Sequence, residues 1–302
     1  MENKIIDNLE KRLARELYDN ILAFWINNSI DNEYGGFQGR ILNDLTVEEK
    51  APKGLILTAR ILWTFSKAYN ITKINDYLEV ATRAYNYLLD KFRDTEYGGF
   101  VWMVDYLGNF LDDKKRAYGQ GFAIYGLSEY YLATKKYQAL DIAIETFHTL
   151  VNFAYDKENS GYFETFNRDW SLAEDLRLSV KDMNEKKSMN NHLHVIEGFA
   201  NLYRVWRNPA LESQLTNLLI DFRDKILDPD TLRFHLFFDE KWRPKSNKES
   251  YGHDIEGSWL LYECAEILGH DELTNDIREM AIGMAEVSLK ESLNPDGSLD
   301  YE

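Results

Sequence analysis

The sequence predicts an all-α protein in which repeated helix pairs follow the course of a double-walled α-barrel. Two observations predict this fold class. Apolar residues recur at spacings of three and four along most of the chain, and the five prolines interrupt none of these stretches. A short turn motif also returns every 63 to 71 residues, with room for two helices between successive copies.

Nine helices are predicted from the apolar periodicity. The first is typical, because Ile6, Leu9 and Leu13 continue through Leu17 and Ile21 along one helical face. Leu273, Ile277, Met280, Met284 and Val287 form the same pattern in the last helix. The predicted helices span 3–27, 52–70, 74–92, 115–134, 136–154, 187–206, 210–226, 250–267 and 271–291.

The turn motif begins at Asp31 with DNEYGGF and at Asp94 with DTEYGGF. Further copies begin at Asp156 and Asp228, and a partial copy, NPDGSLDYE, closes the sequence. Phe37, Phe100 and Phe163 lie 63 residues apart and are taken as equivalent, with Phe234 and Leu299 following. A turn followed by alternating residues is typical of a β-hairpin, so five short β-hairpins are expected.

The repeat count bears on domain organisation. Repeated helix pairs bury their apolar faces on neighbouring pairs, in an open solenoid or a closed ring. Six pairs close a double-walled α-barrel, and this sequence supplies four and a half. The sequence therefore predicts a single domain over residues 1–302 that is incomplete at the C-terminus by about three helices, with apolar faces exposed at the gap.

Composition excludes several function classes. Lys and Arg number 35 against 51 Asp and Glu, which gives a net charge of −16. This charge disfavours binding to nucleic acids and to anionic membrane surfaces. A single cysteine, Cys264, excludes a disulfide framework and a multi-cysteine zinc site. No apolar run reaches membrane-span length, and residues 1–20 lack the apolar stretch of a signal peptide. A soluble cytoplasmic protein is expected.

Polar side chains open the second helix of each predicted pair. In an α-barrel these helices form the inner wall, so their N-terminal ends and positive dipole ends surround one mouth of the cavity. The polar residues expected to converge there are Arg60, Tyr118, Gln120, Asn190, His192, His194, Glu197, Tyr251, His253, Asp254 and Glu256.

Two of these helices share a His-x-x-Glu pattern, His194 with Glu197 and His253 with Glu256. The spacing places both side chains on one helical face, and a carboxylate beside an imidazole suits a general acid or base near neutral pH. Two histidines and two glutamates could also hold a metal, but the pairing explains the spacing without one, so no metal is predicted. Arg60 lies in an apolar stretch and is expected to be buried against a partner or ligand.

Four segments carry a resemblance to a known family: LRLSVKDMNEKKSMNNHLHVIEGFANLYRVW from Leu176, SYGHDIEGSWLL from Ser250, KGLILTARILW from Lys53 and YGQGFAIYGLSEYY from Tyr118. They resemble the cellobiose 2-epimerases, within the wider N-acylglucosamine 2-epimerase group. The resemblance runs in order from the first helix to Glu302.

The resemblance implies an (α/α)6 barrel and cofactor-free epimerisation. Glucose becomes mannose at C2 of the reducing-end sugar in disaccharides such as cellobiose and lactose, through a cis-enediolate. By motif, His253 matches a catalytic histidine that exchanges the C2 proton, His194 one that assists ring opening, and Arg60 the arginine beside the enediolate oxygens. Tyr118, Asn190 and Glu256 match the reducing-end subsite, with Glu256 also a candidate catalytic acid or base, and Asp182 matches an acid near the far sugar.

The sequence departs from the family at its C-terminus. The family's second catalytic histidine, with sugar-stacking tryptophans, falls beyond Glu302. We therefore expect the 302-residue chain alone to be poorly active or inactive, as a monomer or weak dimer. Three explanations are open: a fragment, the product of a truncated or split gene, or a protein completed by another chain that supplies the missing segment in trans. The alternatives are an aldose–ketose isomerase of the mannose type, an inverting glycoside hydrolase and an inactive sugar-binding fragment. The hydrolase needs two carboxylates at the site, whereas His and Arg predominate here.

Overall fold

The computed structural model describes residues 2–178 and 182–300, in which nine helical runs alternate with short turns. The first run consists of α1 (Glu2–Arg15) and α2 (Ala23–Asn28), joined by the π-helical segment Glu16–Leu22. All nine predicted helices are confirmed to within a few residues. The others are α3 (Leu55–Thr72), α4 (Asn75–Tyr87), α5 (Ala117–Thr134), α6 (Tyr137–Phe153), α7 (Met189–Tyr203), α8 (Pro209–Asp221), α9 (Tyr251–Leu268) and α10 (Asp271–Ser292).

The helices form pairs, and the turn inside a pair is nearly the same in three repeats. Helices α3, α5 and α9 each end at a residue in the left-handed conformation: Lys73, Lys135 and Gly269, with φ of 59°, 57° and 81°. This conformation stops a helix and directs its last carbonyls to the cap. The next helix starts two residues later, so the two helices of a pair pack side by side.

Helices α3, α5, α7 and α9 form the inner wall, in which α3 packs on α5, α5 on α7 and α7 on α9. Two glycines allow α5 and α7 to approach at backbone distance. A Cβ atom on Gly198 would lie 2.3 Å from the carbonyl oxygen of Gly121, and one on Gly121 would lie 2.6 Å from that of His194. Larger residues at these positions would push the wall apart.

The five turn copies are compact loops in which the leading aspartate organises the backbone. In the first four copies its Oδ1 atom accepts two N–H groups two and three residues on, as Asp31 does from Glu33 and Tyr34. Single antiparallel bridges close most copies, such as Ile30 with Phe37. In the third copy the bridge is made by Tyr162, so the predicted equivalence of Phe163 is wrong by one residue.

Regular strand pairs are confined to two or three residues and mostly join neighbouring repeats. The predicted hairpin is confirmed in the fourth copy, where Leu227–Asp228 pairs with Arg233–Phe234. Each other copy is reduced to a single antiparallel bridge, because the aspartate and glycine turns leave little backbone free for a ladder. The antiparallel pairs are β1 (Lys53–Gly54) with β2 (Met103–Val104), β2 with β3 (Phe110–Asp112), β4 (Lys115–Arg116) with β5 (Thr165–Phe166), β6 (Lys187–Ser188) with β9 (Phe237–Phe238), and β7 (Leu227–Asp228) with β8 (Arg233–Phe234).

A buried lysine joins each of the first three turns to the inner helix that follows. Lys53 Nζ lies 2.6 Å from Asp31 Oδ2 and also donates to the carbonyl of Gly35. Lys115 with Asp94 and Lys187 with Asp156 repeat the arrangement at 2.9 and 2.8 Å. The fourth repeat departs from it, since Glu249 occupies the lysine position and pairs with Arg233.

A second tether comes from the first turns of the inner helices. Gln120 accepts the backbone N–H of Phe100 and donates to its carbonyl, both at 2.8 Å. In the next repeats His192 Nε2 accepts the N–H of Tyr162, and Asp254 Oδ1 that of Phe234. These three polar residues therefore hold turns in place, and their predicted place among the cavity-lining side chains is wrong.

We predict that His192 makes folding pH-dependent. Complete burial lowers the pKa of His192 to about 3, against about 6.5 in the unfolded chain, so unfolding takes up a proton between these values. Stability is therefore fully present above pH 6.5 and is lost as pH falls. Titration of His192 should lower the free energy of unfolding by about 2 kcal/mol between pH 7 and 5. His192→Gln, which introduces the residue that Gln120 provides at the equivalent position, should remove this decrease, as measured by urea unfolding. Equal pH dependence in both proteins would contradict this role.

Apolar faces of α1 and α9 are exposed. Ile6, Leu9 and Leu13 on α1 are 48 to 60% accessible, and Trp259 on α9 is 55% accessible. The predicted exposure of apolar helix faces is confirmed for the described residues. No described helix is both long and apolar enough to span a lipid bilayer.

Candidate active site

A cavity of about 920 Å³ opens at the N-terminal ends of the inner helices. Three helices contribute predicted site residues to it: Tyr118 from α5, Asn190 from α7 and His253 from α9. Asp182 lies at its wall, on the loop that precedes α7. The cavity therefore brings together four of the seven predicted site residues, although they come from three different repeats and lie 135 positions apart at the extremes.

Ser250 holds the imidazole of His253. Its Oγ atom lies 2.8 Å from His253 Nδ1, so this ring nitrogen is held by a neighbour three residues earlier in the chain. Burial lowers the pKa of His253, with His194 acting in the same direction, while Glu256 and Asp182 oppose the shift. The neutral imidazole, which is the form that accepts a proton, is therefore favoured at neutral pH.

His194 is almost fully buried and is fixed on both sides. Its ring packs against Tyr118 at 5.0 Å and Phe122 at 4.7 Å between centroids. Its Nδ1 atom lies 2.9 Å from Glu197 Oε2, as the His-x-x-Glu spacing predicts. Tyr125 also hydrogen-bonds Glu197, and burial with this carboxylate raises the pKa of Tyr125. The carboxylate is thus held from two directions and orients the imidazole.

Arg60 on α3 is exposed and is not among the described residues that line the cavity, so the prediction that it is buried is wrong. Its stretch is apolar because other residues of α3 pack on α5, whereas the Arg60 side chain itself is exposed. The guanidinium lies 4.5 Å from the ring centre of Phe122 and hydrogen-bonds Tyr118. Burial raises the pKa of Tyr118 to about 12, so its hydroxyl stays protonated and able to donate.

The two His-x-x-Glu pairs are not equivalent in the repeat. The turn tethers align Asp254 with His192, so Glu256 takes the position of His194, Phe122 and Arg60 in the other helices. His253 lies one turn closer to the N-terminal end of its helix. The shared His-x-x-Glu pattern therefore does not mark equivalent positions in the two helices. Glu256 is half-buried, and its charge acts on both His253 and Tyr118, which places it at the same mouth.

Three described residues of the site, Ser250, Trp102 and Glu164, were not predicted from the sequence. Ser250 had a local signal, since it is the N-cap of α9 three residues before His253. Trp102 and Glu164 reach the cavity from turns of neighbouring repeats, and nothing in their local sequence marks them. Residues 179–181, within the segment that carries the family resemblance, lie outside the described residues. Among the described residues, no three His, Cys, Asp or Glu side chains are grouped to hold a metal ion.

Comparison with known proteins identifies the family. The model of the N-acylglucosamine 2-epimerase (GlcNAc 2-epimerase) family matches residues 35–301. The chain belongs to this family. A cellobiose 2-epimerase of Bacteroides fragilis is 46% identical over 97% of this chain and 75% of its own length. One of Dictyoglomus turgidum is 36% identical over 96% and 74%.

Solved structures agree with the helix order described above. A cellobiose 2-epimerase of Bacillus thermoamylovorans superposes with a TM-score of 0.93 at 37% identity, over 98% of this chain and 75% of that one. The fold is therefore that of the (α/α)6 barrel, as predicted, and this chain corresponds to about three quarters of the relatives' length.

We predict that His253 titrates below pH 6.5, because burial disfavours its charged form. The imidazole signals can be followed by NMR between pH 4 and 8, with His253→Gln to assign them. Ser250→Ala should change the His253 signals, whereas Ser258→Ala on the same helix, whose hydroxyl bonds the carbonyl of Ile255, should not. A midpoint at or above 6.5 would contradict the prediction.

Proposed function

We propose that this chain carries the chemistry of a cellobiose 2-epimerase, converting the reducing-end glucose of a β-1,4-linked disaccharide to mannose at C2. The observation that supports this most is that Arg60 and His194 both contact Tyr118, which lines one cavity with His253, in a chain 46% identical to such an enzyme. Cellobiose and lactose are the proposed substrates, and the reaction needs no cofactor.

The first step opens the sugar ring. A base removes the proton from the O1 hydroxyl while the C1–O5 bond breaks, and O5 takes up a proton, which leaves an aldehyde at C1. His194 is suited to this exchange, because Glu197 fixes its Nδ1 side and steadies the imidazolium form. Tyr118, which packs on the same ring, supplies a protonated hydroxyl beside it.

The second step moves the C2 proton. The neutral Nε2 atom of His253 accepts the proton, the C2–H electrons form a C1–C2 double bond, and the carbonyl electrons move to O1. The product is a cis-enediolate. The Arg60 guanidinium is placed to stabilise its oxygen charge, and such stabilisation is worth several kcal/mol in comparable sites. Return of a proton to the opposite face of C2 gives mannose.

Proton return needs a second acid on the opposite face. Within the described residues, His194 and Glu256 are the candidates, since both lie at the mouth with His253. We further propose that a polypeptide segment equivalent to the unmatched quarter of the relatives contributes to this face, in trans if it is a separate chain. The exposed apolar faces of α1 and α9 support such a segment, because a covered barrel wall would bury them.

We predict exchange of the C2 proton when the folded protein is incubated with cellobiose in D2O and followed by proton NMR. Loss of the glucose H2 signal with growth of a mannose anomeric signal would mean that both faces have a working base. Loss of H2 without mannose would leave one base, His253. A ketose product would favour the isomerase alternative, and released glucose the hydrolase. Absence of exchange in a folded sample would contradict the proposed chemistry for this chain alone.

We predict that Arg60→Met slows H2 exchange about 100-fold, because the enediolate loses about 3 kcal/mol of charge stabilisation. His253→Gln should abolish exchange at this face. Arg40→Met is the control, since Arg40 is exposed and pairs with Glu48 away from the cavity. Equal rates for the Arg60 and Arg40 variants would remove Arg60 from the mechanism.

We predict that adding the C-terminal quarter of the Bacteroides fragilis relative as a separate polypeptide increases mannose formation. Leu13→Asp and Trp259→Asp should weaken this effect at least tenfold, because each puts a charge on an apolar face that the segment would cover. Leu107→Asp, at an exposed position on a turn, is the control. Equal responses in all three variants would mean that the segment does not cover α1 and α9.

A further inference from the structure

Glu164 is a buried acid at the wall of the cavity that the proposed mechanism does not use. It lies between Tyr162 and strand β5, and only 4% of its surface is accessible. Its backbone carbonyl accepts the N–H of Ala117 at the start of α5, so the residue is fixed to the same helix that carries Tyr118. An acid this deeply buried is rare unless it is paired or has a function.

The hydrogen bonds of Glu164 are incomplete. Ser188 bonds the carboxyl through its side chain and its backbone N–H. The Oε1 atom, however, has no partner among the described residues, although it lies away from bulk water. A buried acceptor left without a hydrogen bond costs about 1–3 kcal/mol of folding stability, so Glu164 destabilises the ligand-free protein.

Burial raises the pKa of Glu164 to about 8, and the charge of Asp182 acts in the same direction. Ser188 and Arg116 oppose the shift. At neutral pH the group is therefore mainly a neutral carboxylic acid, which can donate as well as accept a hydrogen bond. The other charged or titratable groups that line the cavity are Tyr118, Arg177, Asp182, Glu185, Lys248 and His253.

An aromatic surface lies at the same wall. The Trp102 ring lines the cavity and is held from behind by Arg116, whose guanidinium lies 4.5 Å from its centre. Indole rings offer sugars a flat apolar platform, while hydroxyl groups at the ring edge need polar partners. Glu164, Ser188 and Asn190 line the same cavity. Arg116, which stacks on Trp102, pairs in the strand ladder with Thr165 next to Glu164.

We propose that Glu164 is a further substrate-binding residue, whose unpartnered oxygen exchanges a hydrogen bond with a hydroxyl group of the sugar that lies against Trp102. The identity of the sugar rests on the proposed function. A neutral acid suits this position, because a second carboxylate near Asp182 would repel the negative enediolate and would lack the proton needed to donate to a hydroxyl.

The test compares cellobiose affinity by isothermal titration calorimetry at pH 7. Glu164→Gln keeps a neutral group that donates and accepts, so its dissociation constant should stay within about threefold of the original. Glu164→Leu should bind cellobiose at least tenfold more weakly, because it loses a single buried hydrogen bond to the sugar. Glu158→Leu, on an exposed part of the neighbouring turn, is the matched control and should bind normally.

A pH series separates binding from a purely structural role. Because the neutral acid is the binding form, the affinity of the original protein should fall as pH rises through about 8, and that of Glu164→Gln should not. Parallel pH profiles would overturn the proposal. In the ligand-free protein, carbon-13 NMR of the glutamate carboxyls should show a midpoint near 8 that Glu164→Gln removes. A midpoint near 4.5 would overturn it even if Glu164→Leu fails to fold.

The outcomes also separate this inference from the proposed function. If cellobiose exchanges its C2 proton while Glu164→Leu binds it normally, the inference fails and the function stands. If cellobiose binds with the predicted Glu164 dependence but no exchange occurs, the function fails and the binding role stands. If the original protein does not bind cellobiose at pH 7, both are overturned.

Discussion

The structure depends on the tether between each turn and the inner helix that follows it. In the second and third turns a buried lysine neutralises the turn aspartate and a polar residue five positions later takes the turn's backbone N–H, as Lys187 and His192 do. The first turn has the lysine bond, from Lys53, and the fourth has the N–H bond, to Asp254. An unpaired charge or an unpaired N–H would be costly at these buried positions, so each inner helix starts at a fixed height. These bonds fix the N-terminal ends of the four inner helices at the same end of the wall, and the cavity opens there.

This constraint separates the polar residues into two groups. In α7, His192 faces outward to a turn, whereas His194, two positions on, faces the interior and contacts Tyr118 and Glu197. Both are buried histidines on the same helix, yet one has its pKa lowered to about 3 and serves folding. The other is oriented by a carboxylate, as a proton-transfer residue requires. The difference arises from the helical position relative to the tether.

The fold was largely predictable from the sequence, because helix periodicity and the turn motif are local signals. All nine helical runs follow from spacings of three and four, and the turns from aspartate and glycine. The errors have physical reasons. The third turn aligns on Tyr162 because its bridge fixes the register, and a neighbouring Phe163 obscured it. Arg60 was expected to be buried because an apolar sequence does not reveal which helix face stays exposed.

The sequence by itself determined the helices, the repeat and the family to which the motifs belong, since these are properties of residue order. Only the tertiary structure decided which polar residues share the cavity, because residues from separate repeats meet through packing between helices. Ser250 beside His253, Trp102 held by Arg116, and Glu164 with its unpartnered oxygen became visible in this way. The burial that raises the pKa of Glu164 likewise arises from neighbours distant in sequence, so no local pattern could have indicated it.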